Sequence, residues 1–208
     1  MSRHSPAPTP RFSPRHLLMN IYLETERLRL RQFTSADADL LIELDSDPEV
    51  MRYLTGGVPT SPARIRTAVL PGFLAWHARS PHYGFWVAEH SATGEFLGWF
   101  HLRPPQDPRA DDDALLRGAL EVGYRLLRRV WGRGYATEGT QALVDRAFRE
   151  FQAPRVIAYT MAANGASRRV MQKAGLSLAR VIPGNDSVPG AEFDEVIYAL
   201  SREEWLSG

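Results

Sequence analysis

The 208-residue chain has no cysteine. Disulfides, thiolate metal sites and a cysteine nucleophile are therefore excluded. Net charge is also nearly absent: 25 Lys and Arg against 24 Asp and Glu leave +1, so electrostatics make no case for bulk nucleic-acid binding. No apolar run approaches the ~20 residues that span a bilayer. A cytoplasmic protein without membrane association is the expectation. His77, His82, His90 and His101 show no ligand spacing, so no metal is expected.

Acidic residues are missing altogether from residues 1–20, where Pro and Ser accumulate beside Arg3, Arg11 and Arg15. The apolar stretch there, Leu17, Leu18 and Met19, falls short of the ~7–15 residues of a signal-peptide core. Residues 1–20 read as a disordered or loosely docked extension, with Met19 as an alternative translational start. Residues 21–208 read as one domain, long enough for a real core.

Within that domain, Leu28 and Leu30 alternate with Arg27, Arg29 and Arg31, which predicts one strand over 21–31. Ser35 is a suitable N-cap for a helix whose apolar face is Leu40, Leu41 and Leu44, ended at Asp47-Pro48. Residues 51–59 read as loop. Ser61-Pro62 opens a second helix, which Pro71-Gly72 must kink or split. A hairpin is expected from 83–90 and 95–103, then an acidic loop over 104–117. Residues 119–127 predict a strand, 134–151 a helix, 155–161 a strand and 164–174 a helix closed by Gly175. Two last strands, 176–182 and 192–200, flank a turn supplied by Pro183-Gly184-Asn185-Asp186 and Pro189-Gly190. Helices between runs of strands predict a mixed α/β fold, a sheet covered on both faces, with 119–161 as a right-handed parallel unit.

The strand at 119–127 runs through Gly132-Arg133-Gly134 into a helix beginning near Tyr135. The first turn of a helix carries unpaired N–H groups and partial positive charge, and glycines admit an anion to them. A P-loop would need Gly-Lys-Ser/Thr, but Gly134 is followed by Tyr135. A dinucleotide fingerprint is met poorly, with Thr137 at the third glycine and no acid in Tyr159-Thr160-Met161.

Arg129-x-x-Gly132-x-Gly134-Tyr135-Ala136 resembles the pyrophosphate motif, (Q/R)-x-x-G-x-(G/A), of the GNAT acetyltransferase superfamily. The run from Asn164 through Ser167, Val170, Lys173 and Gly175 to Leu176 is similar to that superfamily's later helix and strand, and Glu26-Arg27-Leu28-Arg29-Leu30-Arg31 to its first strand. Trp131 to Glu138, and Tyr198-Ala199-Leu200-Ser201 to Trp205, resemble the branch of ribosomal-protein N-terminal (alanine/serine) acetyltransferases. The likeness covers about residues 21–206.

The resemblance implies a mostly antiparallel sheet with one splayed parallel pair, 119–127 and 155–161, helices on both faces, and acetyl-coenzyme A in the wedge. It implies that backbone groups of Leu126 and Leu127 pair with the pantetheine arm. Backbone amides across Arg129, Gly132, Arg133, Gly134, Tyr135 and Ala136 would hold the pyrophosphate, with added charge from Arg133. Asn164 would contact the pantetheine and Ser167 would sit near the thiol; as plain structure they are an N-cap and a first-turn residue. Amine attack on a thioester needs a base, and an acid for the departing thiolate, but no covalent enzyme intermediate. Glu121 is the candidate base; a strand carboxylate must be paired or face a cleft. Many relatives carry a tyrosine where this chain has Met171; some members of the related branch use a serine at the Ser167 position, so the resemblance implies Ser167 as the candidate acid, with Tyr124 and Tyr159 as alternatives. Arg128 stands where proline is common.

The acceptor amine, a protein N-terminus or a small-molecule amine, is expected at 51–83, 99–118 and the last hairpin. Tyr53, Trp86, Trp99, Phe100 and His101 read either as its pocket or as core. Asp111-Asp112-Asp113 reads as an attractor for a cationic amine or as a solvated loop. Two other readings stay open: a non-catalytic coenzyme A sensor or scaffold, and a nucleotide-dependent enzyme. Homodimers are common among proteins that resemble this chain.

Overall fold

The computed structural model describes residues 20–108, 110–184 and 193–208. The expectations for residues 1–19 and for the turns at Asn185-Asp186 and Pro189-Gly190 lie outside them. One eight-stranded sheet runs in the order β1-β2-β3-β4-β5-β6-β8-β7. The strands are β1 (Ile21–Glu24), β2 (Leu28–Gln32), β3 (Gly84–His90), β4 (Phe96–Arg103), β5 (Leu120–Leu126), β6 (Arg155–Met161), β7 (Ser177–Ile182) and β8 (Glu195–Ser201). Every neighbouring pair is antiparallel except β5 and β6, which are parallel. This is the mixed, mostly antiparallel α/β sheet that the sequence predicts.

The helices are α1 (Ala38–Asp45), α2 (Pro48–Thr55), α3 (Pro62–Arg64), α4 (Leu70–Arg79), α5 (Tyr135–Arg149), α6 (Gly165–Lys173) and α7 (Arg202–Ser207). Successive strand residues point to opposite faces of a sheet. In β4 and β5, Phe100, Leu102, Val122 and Tyr124 share one face, and Trp99, His101, Glu121 and Arg125 share the other. The amphipathic helix α5 buries Gly139, Leu143, Val144, Ala147 and Phe148. At Gly139 it comes so close to the sheet that a Cβ would lie 2.3 Å from the Phe100 ring. Gly139→Ala should therefore lower the melting temperature. It gains about 1 kcal/mol of helix propensity but incurs the ~1–3 kcal/mol of overpacking against a ring with 0% exposure.

Four local details differ from the sequence reading. Residues 21–31 form two strands, because Thr25 folds the chain back: its N–H donates to the Leu28 carbonyl at 2.9 Å and its Oγ1 accepts from the Leu28 N–H at 3.0 Å. The first cap is Thr34 rather than Ser35, in a reciprocal capping box with Asp37 that leads through a short 3₁₀ turn into α1. Asp47-Pro48 does not only end a helix. Asp47 Oδ1 accepts from the Glu49 N–H at 2.9 Å and Pro48 takes the first helical position, so part of the predicted loop at 51–59 is α2. Pro71 does not interrupt its helix, because a π-turn over Ile65–Val69 joins α3 to α4 and shifts the hydrogen-bond register just before the missing donor. The short helix α7 carries a signal the sequence reading missed, the capping box of Ser201 and Glu204.

Arg31 is buried between two carboxylates: its Nη1 and Nη2 each lie 2.9 Å from Asp37 oxygens, and its Nε lies 2.7 Å from Glu89 Oε1. Burial alone would raise the Asp37 carboxyl, but Arg31 and the Thr34 groups outweigh it and hold it below its ordinary 3.8. A carboxylate depressed in the folded state contributes stability that is present above its unfolded pKa and lost as pH falls through the folded value. Thermal melts should therefore hold level through neutral pH and fall on acidification below about pH 4, and Asp37→Asn should shrink that acid-dependent part.

Candidate active site

Parallel strands β5 and β6 meet at only two register positions, Leu120↔Val156 and Glu121↔Ile157. Beyond them each follows its other neighbour: β5 stays on β4 as far as Gly98↔Leu126, and β6 stays on β8 as far as Met161↔Glu195. A wedge opens between their C-terminal halves. Gly98 draws β4 and β5 together beside it, with φ at 141° and the Arg125 carbonyl oxygen only 2.1 Å from where a Cβ would stand. Only glycine fits such an approach.

Both helices that follow these strands start at the open end of the wedge. After β5, a 3₁₀ turn (Arg128–Val130) leads into Gly132 and Gly134, both left-handed with φ of 72° and 85°. The first bond of the α5 ladder runs from the Glu138 N–H to the Gly134 carbonyl at 3.0 Å, so the amides of Tyr135, Ala136 and Thr137 precede it. Among the described residues, no side chain caps them. The turn is braced from behind. Glu138 accepts from the Thr25 hydroxyl, the Arg27 N–H and the Arg27 Nε at 2.5, 2.9 and 2.7 Å, and Arg27 Nη1 donates to the Arg133 carbonyl at 2.9 Å. Burial would raise Glu138, but these donors hold its carboxyl below the usual range. Reading Arg27 only as an alternating strand residue missed this brace.

Gly132, Arg133, Gly134, Tyr135 and Ala136 thus form one contiguous turn. Several neighbouring groups already have partners within the chain. The Arg129 side chain turns away to Glu43 at 2.7 Å, Glu95 at 3.1 Å and the Phe96 carbonyl at 3.2 Å. The amides of Val130 and Trp131 are used inside the turn, on the Leu127 and Arg128 carbonyls. The Leu127 N–H donates to the Leu97 carbonyl at 2.9 Å, and the Leu126 carbonyl accepts from the Trp131 indole at 2.8 Å.

On the far wall, Asn164 caps α6, its Oδ1 accepting from the Ser167 N–H at 3.1 Å. Ser167 Oγ in turn accepts from the Tyr124 hydroxyl at 3.3 Å, which links β5 to α6 across the wedge. Burial pushes the Tyr124 hydroxyl up against the pull of Ser167, so it stays protonated and able to donate. Met171 is buried core.

Glu121 faces the other way. Its Oε1 lies 2.9 Å from Arg103 Nη2 and 3.2 Å from His101 Nε2. Burial pushes His101 below its ordinary 6.5 despite Glu121, so the ring is neutral at pH 7. Gly123, directly across the ladder, makes room for it: a Cβ there would lie 2.6 Å from the imidazole. The candidate base and the Ser167–Tyr124 pair therefore stand on opposite faces of the sheet and share only the wedge. Tyr159, the other alternative acid, sits on β6 within electrostatic reach of Arg103.

Two clefts flank these groups. One, about 290 Å³, lies at the closed end of the wedge, beside Tyr83, Asp111 and Leu120. The other, about 330 Å³, lies on the Glu121 face beneath α2 and α4, with Phe85, Trp99 and Arg125 in its lining. Of the aromatic residues expected to form a pocket, Trp99 lines this second cleft and His101 adjoins it, while Trp86 and Phe100 are core. In the acidic loop, Asp113 is tied to Arg180 and accepts from the Leu115 N–H. Among the described residues, no three His, Asp or Glu side chains are grouped as metal ligands, and no helix is long and apolar enough to cross a membrane.

Comparison with known proteins agrees with this architecture. The acetyltransferase (GNAT) domain family matches residues 27–177. FsC-acetyl coenzyme A-N(2)-transacetylase of Aspergillus fumigatus is 36% identical, over 88% of this chain and 77% of that protein. An acetyltransferase structure from Agrobacterium tumefaciens superposes with a TM-score of 0.66 at 25% identity, covering 94% of this chain and 99% of its own. RimL, the ribosomal L7/L12 alpha-N-protein acetyltransferase, in complex with coenzyme A, superposes at 0.71 over 89% of this chain and 99% of its own; at 19% identity that likeness shows the fold alone. The matched span runs from the arginine brace through the glycine turn to the strand after Gly175, and this chain belongs to the GNAT acetyltransferase family.

Proposed function

We propose that this protein moves an acetyl group from acetyl-coenzyme A directly to a primary amine. The observation that carries the reading is the wedge whose open end meets the uncapped start of α5. Backbone amides from Gly132 to Ala136 suit a pyrophosphate, because the helix terminus supplies both donors and positive potential. The pantetheine arm fits the gap between β5 and β6, with Asn164 beside it and Leu126 on the facing edge, whereas the Leu127 N–H is spent on Leu97 of β4. At the Leu126 carbonyl the arm would compete with the Trp131 indole.

The amine approaches from the Glu121 face. It arrives mostly as ammonium, and Glu121 takes its proton directly or through one water. His101 and Arg103 hold that carboxylate in place. The neutral amine attacks the thioester carbonyl, and the thiolate leaves on the other face, where the Tyr124 hydroxyl can deliver a proton through Ser167. The Aspergillus relative carries a nitrogen position, N(2), in its name, which favours a small-molecule amine. A protein N-terminus is the second acceptor reading, from the motifs shared with the ribosomal-protein branch.

The absence of cysteine simplifies the test. A thiol reagent added to protein, acetyl-coenzyme A and an amine panel reports released coenzyme A alone. Amine-dependent release is the expected result. Acetyl-coenzyme A binding with no release for any amine would leave a sensor instead, and no binding would end both readings. Ser167→Ala should slow turnover at least ~10-fold; turnover unchanged across pH would remove Ser167 as the acid.

A further inference from the structure

The cleft on the Glu121 face has a chemistry of its own. Its aromatic side is one packed wall: the Phe73 and Phe85 rings stack with centroids 3.9 Å apart and 5° between planes, and Trp99 stands edge-on to both at 5.7 and 5.5 Å. Phe85 also packs edge-on against His101 at 5.1 Å, so the His101–Glu121 pair lies directly behind this wall. Arg125 lies one residue before Leu126, beside the open wedge. An acceptor held in this cleft would thus be next to both the candidate base and the thioester.

The charges are arranged against a polycation. Among the described residues the lining holds one carboxylate, Asp45, which is 2% exposed and already ion-paired with Arg125. Arg64 stands exposed at the rim, and among the described residues no carboxylate lies within ion-pair distance of it. Buried donors are left over as well. Among the described residues, neither the Trp99 indole N–H nor Arg125 Nε has an acceptor. A lining with an exposed unpaired cation at its rim and, among the described residues, no spare anion favours a ligand that brings an anionic oxygen group.

Resting on the acetyltransferase reading, we propose that this cleft selects amines carried on a flat apolar body that also bears a carboxylate, and discriminates against polyamines. The ring lies against the aromatic wall, the amine is directed along it toward the side where the His101–Glu121 pair stands, and the carboxylate stays at the Arg64 and Arg125 side. Asp111, Asp112 and Asp113 do not alter this choice. Asp111 lines the cleft at the closed end of the wedge, and Asp113 is occupied by Arg180.

Binding in the presence of coenzyme A tests the proposal without requiring turnover. The probes are 4-(aminomethyl)benzoate, benzylamine, which lacks the carboxylate, and spermidine, which is polycationic. The carboxylate probe should bind about 10-fold more tightly than benzylamine and about 100-fold more tightly than spermidine. Arg64→Gln, an exposed and structurally mild change, should weaken the carboxylate probe roughly 3- to 5-fold and benzylamine by less, so that the preference narrows. Spermidine binding as tightly as the carboxylate probe, a preference untouched by Arg64→Gln, or no binding of any probe would overturn it. Coenzyme A binding in the same titrations reports separately on the underlying reading, because its loss would remove that reading whatever the probes do.

Discussion

Gly134→Glu should abolish measurable acetyl-coenzyme A binding while the protein stays folded. The position is left-handed, with φ at 85°, so any side chain with a Cβ costs about 1–2 kcal/mol there. That is small against the stability of most domains, and the one contact a Cβ makes, 3.3 Å to Arg27 Nη2, asks the Arg27 brace to give by only a few tenths of an ångström. The new carboxylate would stand at the first amides of α5, where an anion is favoured, and would itself occupy the pyrophosphate place. A rise in Kd of at least ~100-fold, about 2.7 kcal/mol, is expected by calorimetry. Gly134→Asn, which tolerates the left-handed region without adding charge, should cost far less. Retained affinity in the glutamate variant would remove this turn as the phosphate site.

Glu121→Gln should lower kcat about 10²- to 10³-fold and leave acetyl-coenzyme A affinity nearly unchanged, because Glu121 points to the face away from the glycine turn. The substitution also deprives the half-buried Arg103 of its anion, so some loss of melting temperature is expected. A pH profile separates the two effects. If Glu121 takes the proton from the ammonium, the deficit narrows at alkaline pH, where the amine is already neutral. If it only holds Arg103 and His101 in place, the deficit is the same at every pH.

The parts of the site legible in sequence are those with local rules. Gly132, Gly134 and Gly175 sit where the chain needs positive φ, Asn164 is where a helix needs a cap, and the strand–helix–strand passage gives the parallel pair. The parts that escaped depend on what faces a residue across the fold. Gly98, Gly123 and Gly139 look alike in the sequence, yet they make room for the Arg125 backbone, the His101 ring and the Phe100 ring respectively. Glu121 could be singled out as a strand carboxylate, but its partners His101 and Arg103 come from the register of β4 on β5. The Arg27–Glu138 brace joins residues 111 positions apart, which no local pattern reports. Thr25 and Asp47-Pro48 misled for a different reason, because a residue that ends one element can also begin the next.

With β5 and β6 joined at two positions, the sheet is mechanically a pair of plates, β1 to β5 and β6 to β8, on a narrow seam. A ligand lying in the gap and bonding to both edges would act as the missing slat between them. Loading the cofactor should then slow amide exchange in the C-terminal halves of both strands together, including residues that never touch it, and the two plates should melt as one.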